Sequence, residues 1–97
     1  MTTKQRAYLK SLAMKQEPIF QIGKSGLAPG LTKAIEEALE ARELIKISVL
    51  QNCDIDPKEL ALTISERTRS MVVQVIGKKI VLYREGKDDK KVIKLPK

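Results

Sequence analysis

Apolar residues along this chain repeat with two different periods, and the switches between periods mark seven elements. Tyr8, Leu9, Leu12 and Ala13 fall at helical spacing. They predict a first helix, capped by Thr2 or Thr3 and running to about Lys15. Lys4, Ser11 and Lys15 share another face of it, with Arg6 and Lys10 on the far flank. Pro18 breaks that pattern, and Ile19 to Ile22 reads as a short strand. Leu31, Ala34, Ile35, Ala38 and Leu39 return to helical spacing opposite Lys33, Glu36, Glu37 and Glu40, which predicts a second helix from about Pro29 to Arg42. Glu43 to Leu50 alternates, with Ile45, Ile47 and Val49 on one face, as a half-buried strand does. After the turn-rich Gln51-Asn52-Cys53-Asp54, Asp56 and Pro57 open a third helix that turns Leu60, Ala61, Ile64 and Thr68 inward. Arg67 and Arg69 lie near its end, where the helix dipole favours cations. Met71 to Ile76 and Ile80 to Arg84 flank Gly77-Lys78-Lys79, a β-hairpin with a dibasic tip. Lysines at such a tip also serve simply to keep it soluble.

The order α-β-α-β-α-β-β predicts an α/β fold: a compact two-layer sandwich with three helices on a small mixed four-stranded sheet. Residues 1–97 read as one domain, with 85–97 a mobile basic tail in which Val92 to Pro96 can add a short edge strand. There is no internal repeat.

Composition narrows the chemistry. The chain has no histidine and one cysteine, Cys53. That leaves no Cys–His or Ser–His pair, no zinc cluster and no internal disulfide. Nothing in the spacing of the acidic residues marks a catalytic pair, so no enzyme, cofactor or metal is expected. Cys53 reads as a partly buried structural thiol. No apolar stretch approaches the length of a membrane span. The start of the chain is not a signal peptide, so a cytoplasmic protein is expected. The lysine-flanked first helix has too small an apolar face for a membrane surface, and packing on a core is the better reading.

The formal net charge is +7 and the pI about 9.7. This suggests an anionic partner, most often nucleic acid. The charge is segregated. Residues 1–26 carry five basic side chains against one acidic, residues 27–43 two against four, residues 44–69 four against four, residues 70–84 three against none, and residues 85–97 five against three. The ends of the chain are basic and the second helix is acidic outside.

Between the first strand and the second helix lies Gly23-Lys24-Ser25-Gly26-Leu27-Ala28-Pro29-Gly30. Two glycines three apart admit unusual backbone angles and let a ligand approach the main chain. Free amides at the following helix start, with the helix dipole, favour an anion, and Lys24 adds a charge. Gly23-Lys24-Ser25 also resembles the end of a nucleotide-binding P-loop. That motif needs a further glycine five positions earlier, where Pro18 stands, so the reading is rejected. From the loop residues alone, a tight strand-to-helix turn with a solvated lysine is the favoured reading. The wider chain has to decide between that turn and a phosphate contact.

The wider chain carries a resemblance. Lys4-Gln5-Arg6, Leu9 and Leu12-Ala13; Gln21-Ile22-Gly23-Lys24-Ser25-Gly26-Leu27; Ala38-Leu39 and Arg42-Glu43-Leu44-Ile45-Lys46-Ile47; Val73-Gln74-Val75-Ile76-Gly77-Lys78 and Val81-Leu82-Tyr83-Arg84 are similar to the CRM domain (chloroplast RNA splicing and ribosome maturation), and over the whole chain to its stand-alone bacterial YhbY-type members. The resemblance implies a fold similar to the C-terminal domain of the third translation initiation factor. It also implies RNA binding and association with precursors of the large ribosomal subunit. The family's Gly-x-x-Gly loop falls on Gly23 to Gly26, and it resembles the loop with which KH domains clamp a nucleotide backbone. The family often has histidine where this chain has Met14.

The expectation is therefore a non-catalytic, monomeric module that binds structured ribosomal RNA, with no small-molecule substrate. Its candidate contacts are Gly23, Lys24, Ser25 and Gly26, with Lys4, Lys10, Lys15, Lys78, Lys79 and Arg84 as the basic surface. Tyr8, Phe20 and Tyr83 are the only aromatics, too few for a base-stacking platform. Two rivals share the charge pattern: a DNA-binding module, which lacks a helix suited to the major groove, and an adaptor whose acidic second helix binds a basic ribosomal protein.

Overall fold

The elements follow the capping chemistry closely. In the computed structural model, which describes residues 1–87, 91 and 93–96, α1 spans Thr3–Met14. Thr2 accepts the Gln5 amide while the Gln5 side chain accepts the Thr2 amide, both at 3.1 Å, a closed capping box. β1 spans Phe20–Ile22 and α2 Pro29–Arg42, with proline in its first turn. β2 spans Leu44–Val49. α3 spans Pro57–Thr68, where Asp56 accepts the Lys58 amide at 3.2 Å and Arg69 closes the end in a left-handed conformation. β3 (Met71–Ile76) and β4 (Lys79–Tyr83) form the hairpin around Gly77, whose φ is +55°.

The sheet order is β1-β2-β4-β3. β1 lies parallel to β2, joined through α2, and the β2–β4 and β4–β3 pairs are antiparallel. The three helices, the mixed four-stranded sheet and the element order are those predicted. The layering differs. Ile35, Leu39, Leu60 and Ile64 of α2 and α3 pack on one face, against Ile45, Ile47, Ile80 and Leu82. Leu9 and Ala13 of α1 pack on the other, against Leu44, Val73, Val81 and Tyr83. The helices thus form a partial third layer instead of sharing one side. β2 is consequently buried on both faces, not half-buried as its alternation predicted.

α1 also departs from its expected orientation. Tyr8 is 38 % exposed, because the helix rests on the sheet along a narrow line through Leu9 and Ala13. Arg6, expected on a solvated flank, turns inward instead. It donates to the carbonyls of Val72 and Val73 at 3.0 Å each, where a β-bulge interrupts the β3 ladder.

Glu43 joins the core to the C-terminal segment. It has a positive φ of 65°, is fully buried, and its carboxylate accepts the amides of Gly86 and Ile93. Ile93 and Leu95 then pack against the α1 cluster. The expected tail and its edge strand fall partly on residues 88–90, 92 and 97, outside those described; no strand is present at the described positions 93–96. Burial, with the nearby Glu43 and Glu85 charges, raises the Tyr83 phenol above its ordinary value of 10.0.

Two outcomes are expected from this arrangement. Glu43→Gln keeps the shape but weakens charge-assisted hydrogen bonds, and urea denaturation should show a loss of about 1–3 kcal/mol. The raised Tyr83 pKa means its neutral form contributes stability that is complete below pH 10 and lost as the pH rises from there through the folded-state value. Stability curves for wild type and Tyr83→Phe should diverge above pH 10, with the variant falling less steeply. Parallel curves would show that Tyr83 is not the group responsible.

Candidate nucleic-acid interface

Strand register decides which candidate residues meet. Ile22 pairs with Val49 and Ser48 with Lys79. The Leu50 amide donates to the Ile22 carbonyl at 2.8 Å, and the Val49 amide to the Lys78 carbonyl at 2.7 Å. The Gly23–Gly26 loop, the 50–56 loop and the Gly77–Lys78 tip therefore occupy one end of the sheet. This is the carboxyl end of the parallel pair, the end where open α/β sheets bind ligands.

The glycine loop is a closed turn. The Gly26 amide donates to the Gly23 carbonyl at 2.9 Å, and Gly26 has a φ of +66°. That amide is committed to the turn, so the anion-facing set is smaller than the sequence suggested. Among the described residues, the amides of Lys24 and Ser25 meet no protein acceptor, and both residues are exposed. The 50–56 loop lies close against the turn. A methyl group on Gly23 would come 3.3 Å from Asn52 Oδ1, and one on Gly26 3.3 Å from Ile55 Cδ1.

α2 starts immediately beyond. Its N-cap, Ala28, makes no side-chain hydrogen bond, and its first turn holds no acidic residue. Its own cap and first turn thus supply no anion to the positive end of its dipole, whereas Asp56 supplies one to α3. Lys78 is exposed at the hairpin tip. The Lys79 ammonium donates to Ser48 Oγ at 2.9 Å and keeps two further donors.

The remaining candidates divide. Lys10 is half-buried on α1 and Lys15 exposed at its C-cap. Lys4 is in the first turn of α1, near Arg6 and therefore at the far end, toward Met71. Arg84 does not join the interface. It donates to the Thr68 carbonyl at 2.8 Å and the Glu36 carbonyl at 3.1 Å, and pairs with the Glu36 carboxylate at 3.5 Å. It ties α2 and α3 to the far end of β4, because β4 runs away from the turn. Sequence reasoning missed Lys46. Its ammonium donates to the carbonyls of Ala13 (3.1 Å) and Gln16 (3.4 Å), holding the end of α1 on the sheet. The available signal was a lysine inside an apolar strand, which needs a polar partner.

Of the three aromatics, Tyr83 is buried, Phe20 packs on the core and Tyr8 is exposed on α1. Among the described residues no group of three or more His, Cys, Asp or Glu side chains could hold a metal, and no helix is long and apolar enough to cross a membrane. Cys53 is buried and free.

The sequence model of the CRS1 / YhbY (CRM) domain matches residues 1–84. The chain belongs to this family. It is 51% identical over 92 residues to "Probable RNA-binding protein YqeI" of Bacillus subtilis (strain 168), covering 95% of this chain and 96% of that protein. It is 39% identical over 98 residues to a Haemophilus influenzae protein named "RNA-binding protein", covering 100% of this chain and 96% of the other. The solution structure of a hypothetical Staphylococcus aureus protein, put forward as RNA-binding, superposes with a TM-score of 0.80 at 57% identity, covering 99% of each chain.

Two glycines at this end of the CRM domain, the half-buried Gly26 and the exposed Gly30, should respond oppositely to alanine. Gly26→Ala forces a side chain into a positive φ beside Ile55 and should cost about 1–2 kcal/mol. Gly30→Ala, in α2 with open space around it, should add about 0.5–1 kcal/mol. Thermal denaturation of both variants checks the pair.

Proposed function

We propose that this CRM domain is a non-catalytic RNA-binding module that acts in the cytoplasm on precursors of the large ribosomal subunit. The observation that carries this reading is the convergence at one sheet end of the exposed glycine turn, the start of α2 and the lysines Lys24, Lys78 and Lys79. The Lys24 and Ser25 amides and the α2 N-terminus offer donors to phosphate oxygens. The lysines supply attraction, consistent with a net charge of +7. One exposed aromatic does not make a stacking platform, so recognition runs mainly through backbone and shape. The names of the relatives support RNA as the ligand. The ribosomal assignment rests on the family resemblance.

Affinity for a structured ribosomal RNA fragment should fall steeply with salt. Lys24→Glu should reduce the slope of log K against log salt by about 1 or more. A flat salt response would sink the electrostatic mechanism. For the ribosomal assignment, wild type should cosediment with large-subunit precursors in sucrose gradients, while a folded Lys24→Glu, Gly26→Asp variant stays at the top. Equal cosedimentation would reduce the loop to a turn and favour an adaptor surface elsewhere.

A further inference from the structure

We propose that the groove between the C-terminal half of α1 and the β3–β4 face holds one unpaired nucleotide of the same RNA; this rests on the RNA-binding reading above. α1 covers only part of its side of the sheet. Beyond Ala13 the face stays open, and register places Gln74 and Ile76 of β3 beside Val81 and Lys79 of β4 there. Ala13 and Val81 form an apolar floor, with Met14 and Ile76 as walls. Met14 is 80 % and Ile76 57 % exposed, large apolar side chains that the fold itself leaves uncovered.

The groove is rimmed by Lys10, Lys46 and Lys79, and no carboxylate lines it. Lys46 is engaged with the end of α1. Lys79 gives one donor to Ser48, and Lys10 meets no acceptor among the described residues. Donors therefore remain for an anion. The Gln74 carboxamide adds a donor and an acceptor. An apolar slot, a hydrogen-bonding edge and a cationic rim match a nucleotide: a base between the Met14 thioether and the Ile76 side chain, its phosphate against Lys10 and Lys79.

An acidic peptide with an apolar anchor would satisfy the same charges. Continuity favours RNA. Lys79 lies both on the groove and at the sheet end that carries the glycine turn, so a phosphate track along Lys24, Lys78 and Lys79 leads into the groove. A base inside a duplex cannot present its faces to such a slot, so the nucleotide must be unpaired.

The test uses two RNA hairpins of the same stem, one with a single bulged 2-aminopurine, titrated with the full chain. Wild type should bind the bulged hairpin about tenfold tighter or more, with a change in 2-aminopurine fluorescence. Met14→Ser with Ile76→Ser, both at exposed positions, should abolish that preference and the fluorescence change while binding the plain stem as wild type does. Lys24→Glu should weaken both hairpins alike. A double variant that keeps the full preference overturns the proposal and leaves the groove to an acidic peptide. So does a wild type without preference. If wild type binds neither hairpin, the RNA-binding reading fails, and the groove assignment falls with it.

Discussion

Burial of β2 on both faces is the constraint on which the rest of this structure depends. Ile45, Ile47 and Val49 point to α2 and α3, while Leu44 faces α1. A strand that is buried on both sides needs cover on both, and its side toward α1 carries two polar residues, Lys46 and Ser48, beside Leu44. Lys46 is tolerated because its ammonium meets the carbonyl of Ala13, which also accepts the Gln16 amide, and the Gln16 carbonyl just past the end of α1. One side chain thus satisfies a helix end and fixes where α1 crosses the sheet. On the same side, Arg6 satisfies carbonyls at the β3 bulge. Two cations hold α1 in place, and neither is available as diffuse positive surface.

That division of the charge shapes the proposed interface. Of nineteen basic residues, several serve the fold: Arg6 and Lys46 under α1, Arg84 between α2 and α3. Lys24 and Lys78 are exposed at the end where the parallel strands terminate, and Lys79 keeps donors there. The same geometry keeps the acidic face of α2 off the interface, since only the start of that helix reaches the sheet end. Net charge is a property of composition; a binding face follows from which cations the fold leaves unused.

The elements were legible because each has local chemistry. The Thr2 box, Asp56-Pro57, the Gly77 turn and the apolar periods of α2 and β3 are short-range features, and the structure carries them within a residue or two. The glycine turn was legible for the same reason, as a positive-φ position following a strand. What misled was inference about faces. Tyr8 matched the helical stripe but lies outside the line of contact, and Arg84 matched a basic hairpin but points toward Glu36 and Thr68. Glu43 read as the polar start of the second strand, yet it is the buried acceptor for Gly86 and Ile93, contacts 43 and 50 residues away.

By itself the sequence determined the order and type of the elements, the single cysteine without histidine, the basic balance and the motifs that place the chain in its family. Those depend on neighbours within a turn or a strand, or on counts. Only the tertiary structure decided the side on which α1 packs, the two-sided burial of β2, and the placing of the glycine turn, Lys78 and Lys79 at one end of the sheet while Arg84 is drawn away. These depend on strand order and direction, and β1-β2-β4-β3 brings together residues more than fifty positions apart. The energy selecting that order is the joint burial of all four strands and three helices, which no local window of the chain contains.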